Sequence, residues 1–172
     1  MRPALPSVQW VSAPPGRPHE PLMRSKVKEA ARELGLPVEL KTLDGSTATV
    51  ADAAAAIGCE AGQIAKSIVF VMDGEPVMVV ASGSHRIDEG KVCDALDCAE
   101  GRIASSDEVR AATGFAIGGV PPIGHGLPVV FDTALLDYEV IYAAGGDGST
   151  LFAVAPRKLA GCVHALVAHV GE

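Results

Sequence analysis

The middle of the 172-residue chain constrains the fold most. Ser67 to Met72 and Pro76 to Ala81 are two apolar runs rich in β-branched residues, separated by Asp73-Gly74. Asp-Gly between two such runs is a hairpin signal, because a two-residue turn of this kind favours residues that tolerate positive φ. Neither run alternates with polar residues, so both faces of both strands need cover. That places the hairpin inside a sheet rather than at its rim, with other elements packed above and below.

The remaining elements fall around this hairpin. Val27, Ala30, Ala31 and Leu34 lie at i, i+3, i+4 and i+7, which predicts a helix over Pro21 to Leu34, stopped by Gly35 and Pro37. Val38 to Leu43 reads as a strand. Thr49-Val-Ala-Asp52 has capping-box spacing and opens an alanine-rich helix ending near Gly58. Helices are predicted over Asp88 to Leu96 and Ser106 to Thr113, the second with Ser105 and Glu108 at capping-box spacing and Gly114 as its stop. Strands follow at Val129 to Phe131, Glu139 to Ala143 and Leu151 to Ala155, with Gly145 to Gly148 as the turn between the last two. Pro156 suits the first position of a short helix ending at Gly161, and Val163 to Val170 reads as a final strand. Mixed helices and strands with several hairpins predict an α+β fold with a central mixed, mainly antiparallel sheet flanked by helices. Residues 1–20, with Pro14-Pro15 and Pro18, lack periodicity and read as an extended or disordered arm before a single domain at residues 21–172.

Composition removes several classes of function. Hydrophobic residues make up 48% and charged residues 20%, a globular balance. The net charge is −7, which argues against coating long stretches of DNA. Aromatics at 4% are too few for a generic single-strand stacking platform. A local basic cluster could still grip a nucleic-acid end. Candidates are Arg86, Lys91, Arg157 and Lys158, then Arg24, Lys26 and Lys28, although most surface cations are simply solvated. No apolar run is long enough to span a bilayer, and no apolar signal core follows Arg2. Cys59, Cys93, Cys98 and Cys162 form neither a C-x-x-C pair nor a dense framework, which reads as reduced thiols in a cytoplasmic protein.

Three segments carry candidate chemistry. Lys66 stands where a helix or turn gives way to the first buried strand, so it either snorkels into solvent or faces a polar cavity. Gly114 to His125 clusters Gly118, Gly119, Pro121, Pro122 and Gly124. Such a loop can aim backbone N–H groups at one point, as stabilisation of an oxyanion requires, and it can equally be a plain connection. Ser82-Gly83-Ser84-His85-Arg86 offers hydroxyls, an imidazole and a guanidinium at a strand end, or a polar turn and nothing more.

Together these blocks resemble the YbaK family of free-standing aminoacyl-tRNA deacylases and prolyl-tRNA synthetase editing domains. The resemblance rests on Ala65-Lys66-Ser67 before a buried strand, the Gly118-Gly119-x-x-Pro122-x-Gly124 loop, the strand from Pro128 to Asp132, and Tyr142-Ala-Ala-Gly145. It spans about residues 25–168. It implies an α/β fold around a mainly antiparallel sheet, and hydrolysis of the ester joining a wrong amino acid to the 3′ adenosine of tRNA, usually tRNA for proline. It implies no metal and no cofactor. Lys66 matches the essential lysine that positions the 3′ end, and Gly118 and Gly119 match the loop that holds the aminoacyl group near backbone amides. Ser67, Val120, Pro121, Pro122, Gly124 and His125 are then expected around the substrate, with Ser82, Gly83, His85 and Arg86 nearby. Ile57, Val71 and Val120 are candidate walls for the amino-acid side chain. The expected partners are the 3′ acceptor end of mischarged tRNA and prolyl-tRNA synthetase, with no membrane and no general DNA binding.

Two departures refine the expectation. Inserted editing domains usually carry a histidine near Leu151–Phe152, which this chain lacks, so it looks more like a free-standing editor. The YbaK enzymes proper have serine where Pro121 stands, which leaves Ala, Ser, Thr or a similar small residue as the substrate's amino acid besides Cys. The rival readings are a non-catalytic aminoacyl or nucleotide-binding module of the same fold, a zinc hydrolase, and a cysteine nucleophile. His164 and His169 lack H-E-x-x-H spacing, and Cys93 and Cys98 are too widely spaced for a zinc knuckle.

Overall fold

The computed structural model describes residues 20–43 and 49–172. The proline-rich arm lies outside the described residues, except that the first helix opens at Glu20. In chain order the elements are α1 (Glu20–Glu33), β1 (Leu40–Thr42), α2 (Val50–Ile57), β2 (Ala65–Met72), β3 (Glu75–Ser82), α3 (Glu89–Leu96), β4 (Gly101–Ile103), α4 (Ser106–Thr113), β5 (Val129–Asp132), β6 (Ile141–Ala144), β7 (Thr150–Val154), α5 (Pro156–Cys162) and β8 (Leu166–Ala168). Two 3-10 turns, Ala61–Gln63 and Thr133–Asp137, complete the order.

The strands form a five-stranded sheet, β4-β2-β3-β5-β8, and a three-stranded sheet, β1-β7-β6. The β2–β3, β2–β4, β1–β7 and β6–β7 pairings are antiparallel, whereas β3–β5 and β5–β8 are parallel. The fold is therefore α+β and mainly antiparallel, as the sequence predicts, with a second small sheet beside the central one. A parallel bridge from Ile64 to Tyr142 joins them.

The hairpin sits in the interior of the larger sheet. Asp73 and Gly74 have φ of 50° and 84°, the doubly left-handed turn expected of Asp-Gly. Side chains alternate between two cores. Val69, Met78, Val80 and Phe131 face one core, packed against Val27 and Ala31 of α1, Val109 of α4, and Ile141 and Phe152 of the smaller sheet. Phe70, Met72, Val77, Val79 and Ala81 face the other, covered by Val92 of α3 and by Val170. Burying a side chain such as Phe131 completely contributes about 1.5–3 kcal/mol before entropy is counted.

The helix caps follow the sequence signals. The Thr49 hydroxyl accepts from the Asp52 amide at 3.0 Å, and Gly58 closes α2 at φ 84°. Ser105 and Glu108 form a reciprocal box at the start of α4. Several boundaries differ from expectation, among them β1, which keeps only Leu40–Thr42 of the stretch from Val38 to Leu43. The last strand is only Leu166–Ala168, because 163–165 finish α5: His164 turns left-handed at φ 52° and the Ala165 amide returns to the Ala160 carbonyl. The strand predicted from Glu139 starts at Ile141, with Glu139 and Val140 left exposed. Strand β4 has no counterpart in the sequence reading, since three residues with two exposed carry no alternation to recognise.

Candidate active site

Lys66 lies on β2 opposite Ala81 of β3. Alternation along β2 sends Ala65 and Val69 to the first core, and hence Lys66 to the opposite face. There its ammonium donates to the carbonyl oxygen of His85 at 2.7 Å. Burial pushes the Lys66 pKa below that of an ordinary lysine. The nearby Asp132 carboxylate opposes the shift and the Arg86 guanidinium adds to it.

Asp132 is completely buried at the end of β5. One carboxylate oxygen accepts from the Ser82 amide at 3.0 Å and from His85 Nε2 at 2.5 Å, while the other accepts from the Ala134 amide at 3.1 Å. The Ser82 hydroxyl lies 2.8 Å from the Gly62 carbonyl and 2.9 Å from the Ser84 hydroxyl. The Gly83 amide donates to Ile64 O at 2.7 Å. A side chain on Gly83 would collide with Val50 and the Ala61 carbonyl. The segment 82–86 is thus a pinned turn beside Lys66.

A cleft of about 220 Å³ opens beside the first half of β2, which β4 does not reach. Its walls include Ile64, Ala65, Val69, Ala104, Val109, Ile117 and Val120. Lys66, Ser67, Thr49 and Asp147 supply its polar border, with Gly118 on the loop side. The Ser67 hydroxyl is buried and has no hydrogen-bond partner among the described residues.

The glycine loop is held from behind. Gly118 has φ 97°, a conformation that favours glycine. Gly119 packs on the backbone of Gly146 and Asp147, where a Cβ would have no room. Its amide donates to Ala116 O at 3.0 Å, so this N–H closes the turn and is not free for an oxyanion. Asp147 is anchored in turn by Arg24 at 2.8 Å, and by the amide and hydroxyl of Ser149.

Of the residues singled out from the sequence, Lys66, Ser67, Gly118 and Val120 line the cleft. Pro121 and Pro122 are buried behind it, and Gly124 is an exposed turn residue. His125 Nε2 donates to Pro122 O at 2.9 Å and its Nδ1 accepts from the Leu127 amide at 3.0 Å, which staples the loop to itself. Burial lowers its pKa. Ser82, Gly83 and His85 lie in the pinned turn, not on the cleft wall, and Arg86 is exposed. Ile57 packs in the small cluster around Ala53 and Ile64, and Val71 against the first core, so neither lines the cleft. Lys91 is spent on the Gly171 carbonyl at 2.5 Å. No local pattern in the sequence announces Asp132 or Asp147, whose importance lies in long-range partners. Among the described residues, no three His, Cys, Asp or Glu side chains come together to hold a metal ion. No helix among them is long and apolar enough to cross a membrane.

A family model for the aminoacyl-tRNA editing domain matches residues 44–162, which include β2, the pinned turn and the glycine loop. The chain belongs to the aminoacyl-tRNA editing domain family. The fold of this editing domain superimposes with a TM-score of 0.82 on a solved structure described as a candidate trans-editing enzyme for prolyl tRNA synthetase, 40% identical, covering 87% of this chain and 97% of that one. The uncharacterized protein YwhH of Bacillus subtilis (strain 168) is 33% identical over 124 residues, 70% of this chain and 78% of YwhH. A proline–tRNA ligase of Nitratidesulfovibrio vulgaris (strain DP4) is 30% identical over 100 residues, 58% of this chain and 17% of the ligase. The editing domain therefore matches a small segment of that ligase and most of the free-standing relatives.

Proposed function

We propose that this editing domain hydrolyses the ester of mischarged aminoacyl-tRNA in trans, with tRNA for proline carrying Ala, Cys, Ser, Thr or a similar small residue as its substrate. The observation that carries the reading is a small apolar cleft bordered by Lys66 and Gly118, in a chain of the editing family. The cleft wall takes the aminoacyl side chain. Lys66 holds the phosphate or ribose of the terminal adenosine, where two of its three N–H donors remain after the bond to His85 O.

An aminoacyl ester is already activated, so the site needs placement more than a strong base. A water oxygen bonds to the ester carbon, the bond to the ribose oxygen breaks, and that oxygen takes a proton. The amino acid leaves as its carboxylate with release of one proton. The net acidic chain tolerates such a substrate because only the acceptor tip has to dock, and prolyl-tRNA synthetase is the partner from which a mischarged product would come.

The test is a deacylation panel. tRNA for proline is charged with Ala, Cys, Ser, Thr and Pro, and ester loss is followed with the native protein and Lys66→Ala. The reading expects selective loss of a small noncognate ester, with prolyl-tRNA spared and activity abolished by the substitution. Tight binding of a non-hydrolysable analogue without turnover of any ester would replace it with a non-catalytic binding module.

A further inference from the structure

We infer that Asp132 and His85 are positioning residues for Lys66, a two-part clamp that fixes where the lysine ammonium points. His85 lies three residues past the end of β3, in a turn that regular pairing does not hold. Its carbonyl can direct Lys66 only if that turn is fixed, and the buried Asp132 fixes it at two points: the Ser82 amide and His85 Nε2 bond to the same carboxylate oxygen. Each carboxylate oxygen already accepts from a backbone amide, and Nε2 is the ring atom that donates to the carboxylate. The same Nε2 end of the ring also meets backbone: a Cβ on Gly171 would stand 2.4 Å from Nε2 and 2.6 Å from Cδ2 and Cε1, and Gly171 is itself bridged to Ile87. The Nε2 end of the imidazole is packed against both the buried carboxylate and the C-terminal segment.

The indirect arrangement has a chemical consequence. With three donors already on Asp132, Lys66 bonds to the peptide carbonyl of His85 and not to the carboxylate. A direct ion pair would neutralise the ammonium and turn it away from an anionic or hydroxyl-bearing ligand. A single neutral carbonyl orients the charge and leaves it available. Among the described residues, the charges that act on the ammonium are those of Asp132 and Arg86, and the His85 ring bonds the same Asp132 carboxylate. As far as activity is concerned, the role rests on the editing function proposed above, but the clamp itself is measurable without turnover.

The experiment titrates the Lys66 amine by competitive acetylation with acetic anhydride across pH, quantified by peptide mass spectrometry. It is run on the full chain and on His85→Ala, His85→Gln and Asp132→Asn, alongside deacylation kinetics and circular dichroism. Releasing the turn in His85→Ala hydrates the ammonium and moves its titration up towards that of ordinary lysine. Asp132→Asn, whose amide oxygen can still accept from the Ser82 amide and His85, keeps the turn but removes the nearby negative charge, and moves the titration further down. His85→Gln, whose amide can donate to Asp132, restores most of the native behaviour. In His85→Ala, kcat/KM falls at least tenfold with the fold retained. If Asp132→Asn fails to fold, the His85 pair carries the test alone. A Lys66 titration unmoved in folded His85→Ala overturns the clamp. A titration that moves as described in a protein that hydrolyses no ester supports the clamp and overturns the editing function instead.

Discussion

Asp147 closes over Gly119: a methyl group on Gly119 would lie 2.7 Å from the Asp147 Cα and 2.8 Å from the Gly146 carbonyl oxygen. Both neighbours are backbone, so no rotamer change relieves the contact. The glycine loop and the β6–β7 turn have to separate. Gly119→Ala should therefore destabilise the protein by about 1–3 kcal/mol, the usual cost of overpacking, or about 2–12 °C in Tm for a domain of this size. Gly118 and Asp147 both border the cleft, so ester hydrolysis should fall as well. A variant with native denaturant midpoint and native rate would show that the two loops yield more easily than this packing indicates.

The cleft wall sets a second expectation. Val109 of α4 is buried and lines the cleft. Val109→Ala enlarges the space by two methyl groups, which should favour larger aminoacyl esters over smaller ones. Differences of this size discriminate by about 1–3 kcal/mol, or roughly 10–200-fold. The readout is the ratio of kcat/KM for Thr and Ala esters on the same tRNA. An unchanged ratio would place the amino-acid side chain elsewhere.

The depressed pKa of Lys66 gives activity a direction with pH. Burial favours the neutral amine, so the ammonium is lost at lower pH than in an ordinary lysine near 10.4. If catalysis needs the ammonium, kcat/KM should decline on an alkaline limb whose midpoint lies below that value. Lys66→Arg, whose guanidinium stays charged, should lack the limb even if its rate is low. The profile is measured with correction for spontaneous ester hydrolysis in buffer.

At the surface, Arg102 bonds both carboxylate oxygens of Glu108 at 2.8 Å each, and the Ser105 amide adds a third contact. The Arg102 hydrogen bonds, followed by the Ser105 backbone bond, hold the Glu108 pKa down at about 2. The folded pKa is below the unfolded value of about 4.3, so the stabilisation is complete above about pH 4.3 and is lost as pH falls towards about 2. The Tm difference between the native chain and Glu108→Gln should accordingly be largest above that window and shrink through it. A constant difference would assign the effect to shape and not to charge. High salt should reduce it too, since the pair is exposed.

The local elements and the family are legible in short stretches of sequence. The Asp73-Gly74 turn, the Ser105–Glu108 box and the stops at Gly58 and Gly114 are short-range: each depends on residues within a few positions that hydrogen-bond or turn the same way wherever they are placed. The doubly apolar runs likewise required an interior hairpin, because hydrophobic burial does not depend on which partner provides it. The blocks around Lys66 and Gly118 marked the editing family for the same reason, as compact motifs in fixed order.

Tertiary structure alone decided what surrounds those motifs. Asp132 is 50 residues from Ser82 and 47 from His85, and Arg24 is 123 from Asp147, yet these pairs fix the turn beside Lys66 and the loop that borders the cleft. A long-range hydrogen bond leaves no period in sequence, since it requires only that two groups meet. The short strand β4, the shortened β8 and the commitment of the Gly119 amide to Ala116 are decided likewise by which backbone groups the packed chain brings within reach.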